Sequence, residues 1–331
     1  MNLLLTGCAG FIGMNFLRCL VSKKHQYLNI VSVDKLGYAS HYNIPSYFKL
    51  CEKNKIEHIT VDLSNIKKIP ILKGDEKWDI LNFASNSHVD NSIKDPNAIF
   101  NENSKIPGGI IQIIGMDNIN KFIHISTDEV YSEIPLNKID QEEFWFKEVD
   151  RIIPNNPYSA SKAAQDCYLM AMRHTFGLNV KFIRMANQMP GEFQHPEKLL
   201  PASILRVING EPIKIYGDGL NVRQWTPVEI TSEIIYDALV GKIDDCFYDN
   251  VLHIANKCGL RTNNEIILLL EKILIENNLT VEKEFIEDRK GHDTAYALTT
   301  QPRINEYFDN CSLEESLDNC VKYFLKNIHL F

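Results

Sequence analysis

Asn2-Leu3-Leu4-Leu5-Thr6-Gly7-Cys8-Ala9-Gly10-Phe11-Ile12-Gly13 opens the chain and decides its fold. Residues 2–5 read as a short apolar strand, a glycine-rich turn follows, and Phe16, Leu17, Leu20 and Val21 then recur at amphipathic-helix spacing. Strand, glycine turn and helix in that order make a dinucleotide-binding unit. Gly7 permits the tight turn, Gly10 lets backbone approach a pyrophosphate and Gly13 lets helix pack closely on strand. The helix start around Phe11 and Ile12 offers N–H donors to the phosphates. The next apolar strand, 30–33, runs into Asp34, roughly 20 residues beyond the last glycine, where a carboxylate binds a ribose 2′-hydroxyl and repels a 2′-phosphate. The expected cofactor is therefore NAD rather than NADP, with Lys35 beside it.

Further apolar strands are expected at 58–61, 80–83, 121–125 and 180–183, alternating with helical stretches, which specifies an α/β fold with a doubly wound parallel sheet. From about Ala186 the pattern loosens into Pro- and Gly-punctuated segments. Residues 204–209 and 264–276 read as helical, and 313–327 carries the apolar spacing of a closing helix. With 331 residues, 44% of them hydrophobic, the chain is long enough for one large core and a smaller second lobe. Its net charge of −8 argues against nucleic acid as a partner, so a negatively charged nucleotide must be met by local arginines and backbone N–H groups. The apolar start is too short for a signal peptide or membrane span, and the eight cysteines show no CxxC pair. Free thiols, no metal site and a cytoplasmic setting are expected. His88 has ligand chemistry but no second ligand at useful spacing.

Two further segments carry chemistry. Tyr158 and Lys162 are spaced i, i+4, so on a helix they share one face, and the ammonium is expected to lower the phenol's pKa toward neutrality. Alone, that pairing reads as surface helix charge. Upstream, Ser126-Thr127-Asp128-Glu129-Val130-Tyr131 follows a strand and sets two carboxyls side by side, which alone would read as a solvated turn. Behind a dinucleotide unit, the two segments together suggest oxidation coupled to elimination.

These residues resemble the extended short-chain dehydrogenase/reductases, and within them the nucleotide-sugar 4,6-dehydratases. The matching stretches are TGCAGFIG, VDKLGYAS from Val33, SHVDNSI from Ser87, HISTDEVY from His124, NPYSASKAAQD from Asn156, HPEKLLP from His195, IYGDGLNVRQW from Ile215 and DRKGHD from Asp288. The Thr-Asp-Glu triplet is the most specific, because epimerases and reductases of this fold have no need for two carboxyls there.

The resemblance implies an NAD-binding Rossmann domain over 1–185, with a returning segment near 222–256, and a sugar-nucleotide-binding lobe over 186–331. It implies that Tyr158 takes the proton from the hydroxyl on sugar carbon 4, Glu129 the proton from carbon 5, and that Asp128 protonates the hydroxyl leaving carbon 6. Thr127 would bond the carbon 4 oxygen, and Lys162 the nicotinamide ribose. Asp62 and Leu63 would meet the adenine end, and Phe83, Ala84 and Ser85 would line the cofactor. Ser87 and Asn187 fit sugar and phosphate, Lys198 and Arg223 the diphosphate, and Arg289 with Tyr296 the nucleotide end. A homodimer through a four-helix bundle is also implied. The substrate stays open between dTDP-glucose and UDP-glucose. A 4-epimerase or decarboxylase of the same superfamily, or a catalytically silent NAD-binding scaffold, is the alternative.

The chain departs from that pattern in several places. Asn86 and Asn91 flank SHVD. Met189-Pro190, Gln224, Thr226-Pro227 and His253 are expected in the sugar-nucleotide half, where they bear on substrate identity. Pro107-Gly108-Gly109 is expected to break or kink a dimer helix, since proline removes an i→i−4 hydrogen bond.

Overall fold

The protein is represented by a computed structural model that describes residues 1–66, 76–87, 89–288 and 291–331. His88 and Arg289 lie outside the described residues. The strands are β1 (Asn2–Thr6), β2 (Asn29–Asp34), β3 (Glu57–Thr60), β4 (Trp78–Asn82), β5 (Ile119–Thr127) and β6 (Val180–Met185). They are followed by β7 (Asn187–Met189), β8 (Ile213–Tyr216), β9 (Val222–Pro227), β10 (Val251–Ile254), β11 (Leu260–Thr262) and β12 (Lys283–Ile286). Between the first six strands lie α1 (Phe11–Ser22), α2 (Ile44–Lys53), α3 (Val89–Lys94), α4 (Pro96–Ile114) and α5 (Pro157–Phe176). Beyond them come α6 (Leu199–Ile208), α7 (Val228–Leu239), α8 (Asn263–Glu276), α9 (Pro302–Asn305) and α10 (Leu313–Lys326).

Among the described residues, a parallel sheet of seven strands runs in the order β10-β6-β5-β4-β1-β2-β3. Residues 2–6 are all buried, as a continuous apolar run demands when both faces of a sheet are covered. Leu3 and Leu5 pack into one layer with Phe16 and Leu17 of α1 and Ile234 of α7, while Leu4 packs into the other with Ile106 and Ile110 of α4 and Leu169 of α5. The strand order reverses between β1 and β4. Ligands of such sheets bind beyond the carboxyl ends of the strands at that switch point. Gly7 follows β1, Phe83 follows β4, Asp34 ends β2 and Thr127 ends β5, so the sheet brings together segments far apart in sequence.

The returning segment divides between two sheets: α7 and β10 join the main unit, whereas β9 pairs with β7 and β11 in a small separate sheet. A third core, built from Leu200 and Ile204 of α6, Ile266 and Leu270 of α8, and Leu317 and Phe324 of α10, closes over β8 and β9.

The expected break at Pro107 is absent, because α4 runs unbroken for 19 residues with Pro107 inside it. Proline leaves the Asn103 carbonyl without its helical donor, and the Gln165 side chain of α5 supplies one instead, with Nε2 donating to that carbonyl at 2.7 Å. A carbonyl satisfied from a neighbouring helix need not distort its own.

Candidate active site

Apart from Arg289, every site residue singled out from the sequence lines one continuous cleft of about 1000 Å³ over the switch point. Its cofactor end begins with the glycine turn. Gly7 has φ of +72°, and a Cβ there would sit 2.6 Å from the Ala84 nitrogen, so only glycine fits between β1 and the segment after β4. Helix α1 starts from Gly10 with no side-chain cap, which leaves its first N–H groups for an anionic ligand. Asp34 is buried and held by two backbone donors, Ala9 N at 2.9 Å and Leu36 N at 2.8 Å. The Lys35 ammonium is paired with Glu102 of α4, which compensates its charge and leaves little to attract a 2′-phosphate. These residues fit NAD.

At the other end of β5, Thr127, Asp128 and Glu129 turn into the cleft. Thr127 Oγ1 donates to Asp128 Oδ1 at 3.1 Å and accepts from the Glu129 backbone N–H at 3.3 Å. Glu129 Oε2 accepts from Ser159 Oγ at 3.3 Å, which ties the pair to the first turn of α5. That turn is fixed by Pro157 and by the Asn156 side chain, which accepts from Ser159 N at 2.9 Å. Asp128 is 2% exposed, so it is no solvated turn. Burial, reinforced by the Glu129 charge, pushes its carboxyl up to about 7, and among the described residues its Oδ2 has no hydrogen-bond partner. A buried carboxyl poised to be protonated beside a second carboxyl is the arrangement that separates an acid from a base.

This raised value predicts a stability effect. The folded state holds the Asp128 proton more tightly than the unfolded chain does, with an unfolded value of about 3.9. The stability that Asp128 contributes is therefore full below about pH 4 and is lost as pH rises through about 7. Asp128→Asn removes the charge, so its melting temperature is expected to exceed that of the unsubstituted protein near pH 8, with the gap closing toward pH 4. A gap independent of pH would contradict the assignment.

Tyr158 is buried, and the expected help from Lys162 is not what the structure shows. Burial first, then the charges of Glu129 and Asp128, hold the phenol well above its ordinary value, opposed by a hydrogen bond with Thr127. Lys162 instead donates to the Ile125 carbonyl at 2.8 Å and to Gln165 Oε1 at 2.7 Å, and burial brings its ammonium down to about 8.

In the remaining part of the cleft, Lys198 Nζ donates to the Ser87 carbonyl at 3.0 Å, joining the loop after β4 to the start of α6. The Arg223 guanidinium lies 5.0 Å from the Tyr296 ring centroid and donates to the Asp293 carbonyl at 2.9 Å. The Tyr296 hydroxyl donates to the Asp293 carboxylate. Asp293 went unread in the sequence, although it closes the DRKGHD stretch. Its carboxylate also accepts from Asn155 at 2.9 Å and Asn156 at 3.3 Å, which locks the lobe to the cap of α5. Ser85 Oγ, Ser126 Oγ, Gln188 Oε1, Gln194 Oε1 and Trp225 Nε1 also line the cleft, and each is buried without a hydrogen-bond partner among the described residues, as expected of groups that meet a polar ligand.

Asn86 and Asn91 line the cleft, whereas Met189, Pro190, Gln224, Thr226, Pro227 and His253 do not. Gln224 bonds the Leu298 backbone through both ends of its amide. His253, on β10 of the main sheet, is tied to the Tyr131 hydroxyl at 2.8 Å and the Thr299 carbonyl at 2.9 Å. Both side chains are thus committed to partners elsewhere in the protein.

A glycine-turn cradle, a switch-point cleft and a Tyr/Lys pair on one helix define an extended short-chain dehydrogenase/reductase. The family model described as GDP-mannose 4,6 dehydratase matches residues 4–302, and the chain belongs to that family of nucleotide-sugar dehydratases. It is 35% identical to the low-salt glycan biosynthesis protein Agl12 of Haloferax volcanii, over 98% of this chain and 99% of that protein. It is 31% identical to a dTDP-glucose 4,6-dehydratase of Xanthomonas campestris, over 98% of this chain and 93% of that one. Among solved structures, it matches the dTDP-glucose 4,6-dehydratase DesIV of Streptomyces venezuelae, crystallised with NAD, with a TM-score of 0.85 and 29% identity, covering 100% of this chain and 99% of that one.

Proposed function

We propose that the protein is an NAD-dependent nucleoside-diphosphate-glucose 4,6-dehydratase, acting on dTDP-glucose or UDP-glucose to form the 4-keto-6-deoxy sugar nucleotide. The observation that carries this reading is the buried carboxyl of Asp128, raised to about 7 beside Glu129, with its Oδ2 unpartnered among the described residues. NAD, when bound, would supply reversible hydride acceptance and the positive charge of its oxidised ring. Tyr158 takes the proton from the carbon 4 hydroxyl, and Thr127 hydrogen-bonds the same oxygen. The ketone formed there acidifies the carbon 5 proton, which Glu129 removes, while Asp128 gives its proton to the hydroxyl leaving carbon 6. A 4-epimerase has no use for the last two groups. Asn187, Ser87, Lys198 and Arg223 meet the sugar and diphosphate, and Tyr296 with Asp293 shapes the wall beside Arg223. Residues 1–185 with α7 and β10 form the cofactor half, and the rest of the chain from 186 the substrate half.

Incubation with dTDP-glucose and UDP-glucose, alongside GDP-mannose, tests the reading. A product lighter by one water from dTDP-glucose or UDP-glucose supports it, and dehydration of GDP-mannose alone contradicts it. Unchanged mass with epimerised sugar, or no reaction with any of them, sinks it.

A homodimer through α4 and α5 is part of this proposal. Cys167, Tyr168 and Ala171 of α5 are exposed rather than packed on the sheet, Ala164 is half-buried beside them, and Phe100 of α4 is exposed as well. With α4 unbroken, both helices contribute at full length. Light scattering at micromolar concentration is expected to give twice 38.0 kDa; the monomer mass would reject the dimer. Among the described residues, no helix is long and apolar enough to cross a membrane, and with eight free cysteines we place the protein in the cytoplasm.

A further inference from the structure

We propose that Gln165 is a positioning residue for Lys162, and that Pro107 in the neighbouring helix is what enables it to act as one. The inference rests on the assignment of Lys162 to the reaction. An ammonium has three donors. In this structure two are committed, one to the Ile125 carbonyl at 2.8 Å and one to Gln165 Oε1 at 2.7 Å, which leaves a single N–H for the cleft that Lys162 lines. A primary amide can hold a lysine in one orientation only if its other end is held. Gln165 is fully buried, and its Nε2 donates to the Asn103 carbonyl at 2.7 Å.

That carbonyl is available because of Pro107. In an unbroken α-helix the Asn103 carbonyl would accept from the N–H of residue 107, and proline has none. The vacancy faces α5 and is filled by Gln165. This orients the amide, because a carbonyl can accept only from the NH2 end and so turns the oxygen toward Lys162. Asn103 is itself fixed: its side chain accepts from the Asn86 backbone N–H at 2.7 Å, donates to the Asn86 carbonyl at 2.9 Å and donates to Ser161 Oγ at 2.8 Å. The loop after β4, α4 and the reactive face of α5 are thereby joined through neutral amides. Among the described residues, the charged and titratable groups facing Lys162 are Tyr158 and Asp166 on its own helix and His124 on β5. None of them occupies the Gln165 position.

The test reads the Lys162 amine directly by NMR of protein labelled at the lysine side chain, with the signal assigned through Lys162→Met. Because it needs no turnover, it separates this inference from the dehydratase assignment. Gln165→Leu removes an acceptor from the charged amine, so the amine is expected to titrate lower, by about tenfold or more in its dissociation constant. Gln165→Glu keeps the shape and puts a carboxylate beside the ammonium, so the titration should move up by a similar amount. Pro107→Ala restores the helical donor to Asn103, competes with Gln165 for that carbonyl and should shift the amine in the same direction as Gln165→Leu, by less. Oppositely signed shifts for Gln165→Leu and Gln165→Glu, with Pro107→Ala between Gln165→Leu and the unsubstituted protein, would establish the arrangement. A Lys162 titration that Gln165→Glu leaves in place, or that Pro107→Ala leaves unmoved, would overturn it, whatever the variants do to turnover.

Discussion

Tyr158→Phe is expected to fold, to retain NAD and to carry out neither the oxidation at carbon 4 nor the loss of water. Only a phenolic oxygen is removed, and among the described residues that hydroxyl's contact is with Thr127, so packing is spared. The loss expected for a positioned proton acceptor is about a hundredfold to ten-thousandfold in kcat. Because this phenol is held up by burial and by Glu129 and Asp128, the limb on which activity of the unsubstituted enzyme rises with pH should move to lower pH when either carboxyl is neutralised. Lys162→Met is expected to lose activity similarly and to hold NAD more weakly. Mixing Tyr158→Phe with substrate and following the near-ultraviolet absorbance of reduced cofactor checks the claim. Reduction at an unimpaired rate would mean that another group takes the proton.

Glu129→Gln is expected to divide the reaction at its middle. The general base for carbon 5 acts only after carbon 4 has been oxidised, so the variant should reduce its bound cofactor on addition of substrate and then stall, with product formation down by about a hundredfold or more. Gln keeps the shape and can still meet Ser159 Oγ, the partner of Glu129 Oε2 at 3.3 Å. Neutralising Glu129 also removes the second-largest influence raising Asp128, so the Asp128 titration should move toward lower pH. Near-normal turnover would remove Glu129 from the mechanism.

Much of this was legible in the sequence, because some signals are local. The glycine turn, the strand ending in Asp34 and the alternation of apolar strands are set by residues within about one element of each other. The Tyr/Lys spacing and the paired carboxyls were likewise visible, and the structure brings them to one cleft. What sequence alone could not settle is what distant residues do to these groups. The i, i+4 spacing put Lys162 near Tyr158, but the ammonium is claimed by Gln165 and the Ile125 carbonyl. The phenol's surroundings are set by burial and by the charges from the end of β5. Pro107 read as a break because the group that compensates it lies in another helix, and Asp293 was missed because its partners Asn155 and Asn156 come from the other half of the chain. Gln224 and His253 stood out as departures by sequence position alone, and the structure ties the first to the Leu298 backbone and the second to Tyr131 and Thr299.

The central claim is that one site removes hydrogen from carbon 4, eliminates water across carbons 5 and 6, and returns that same hydrogen to carbon 6. Substrate carrying deuterium at carbon 4, turned over in ordinary water and analysed by NMR and mass spectrometry, tests it most directly. The account predicts a 4-keto-6-deoxy product lighter by one water, with the deuterium retained at carbon 6 and a solvent proton at carbon 5. Deuterium lost to solvent, or still attached at carbon 4 of a product that has lost no water, would contradict it.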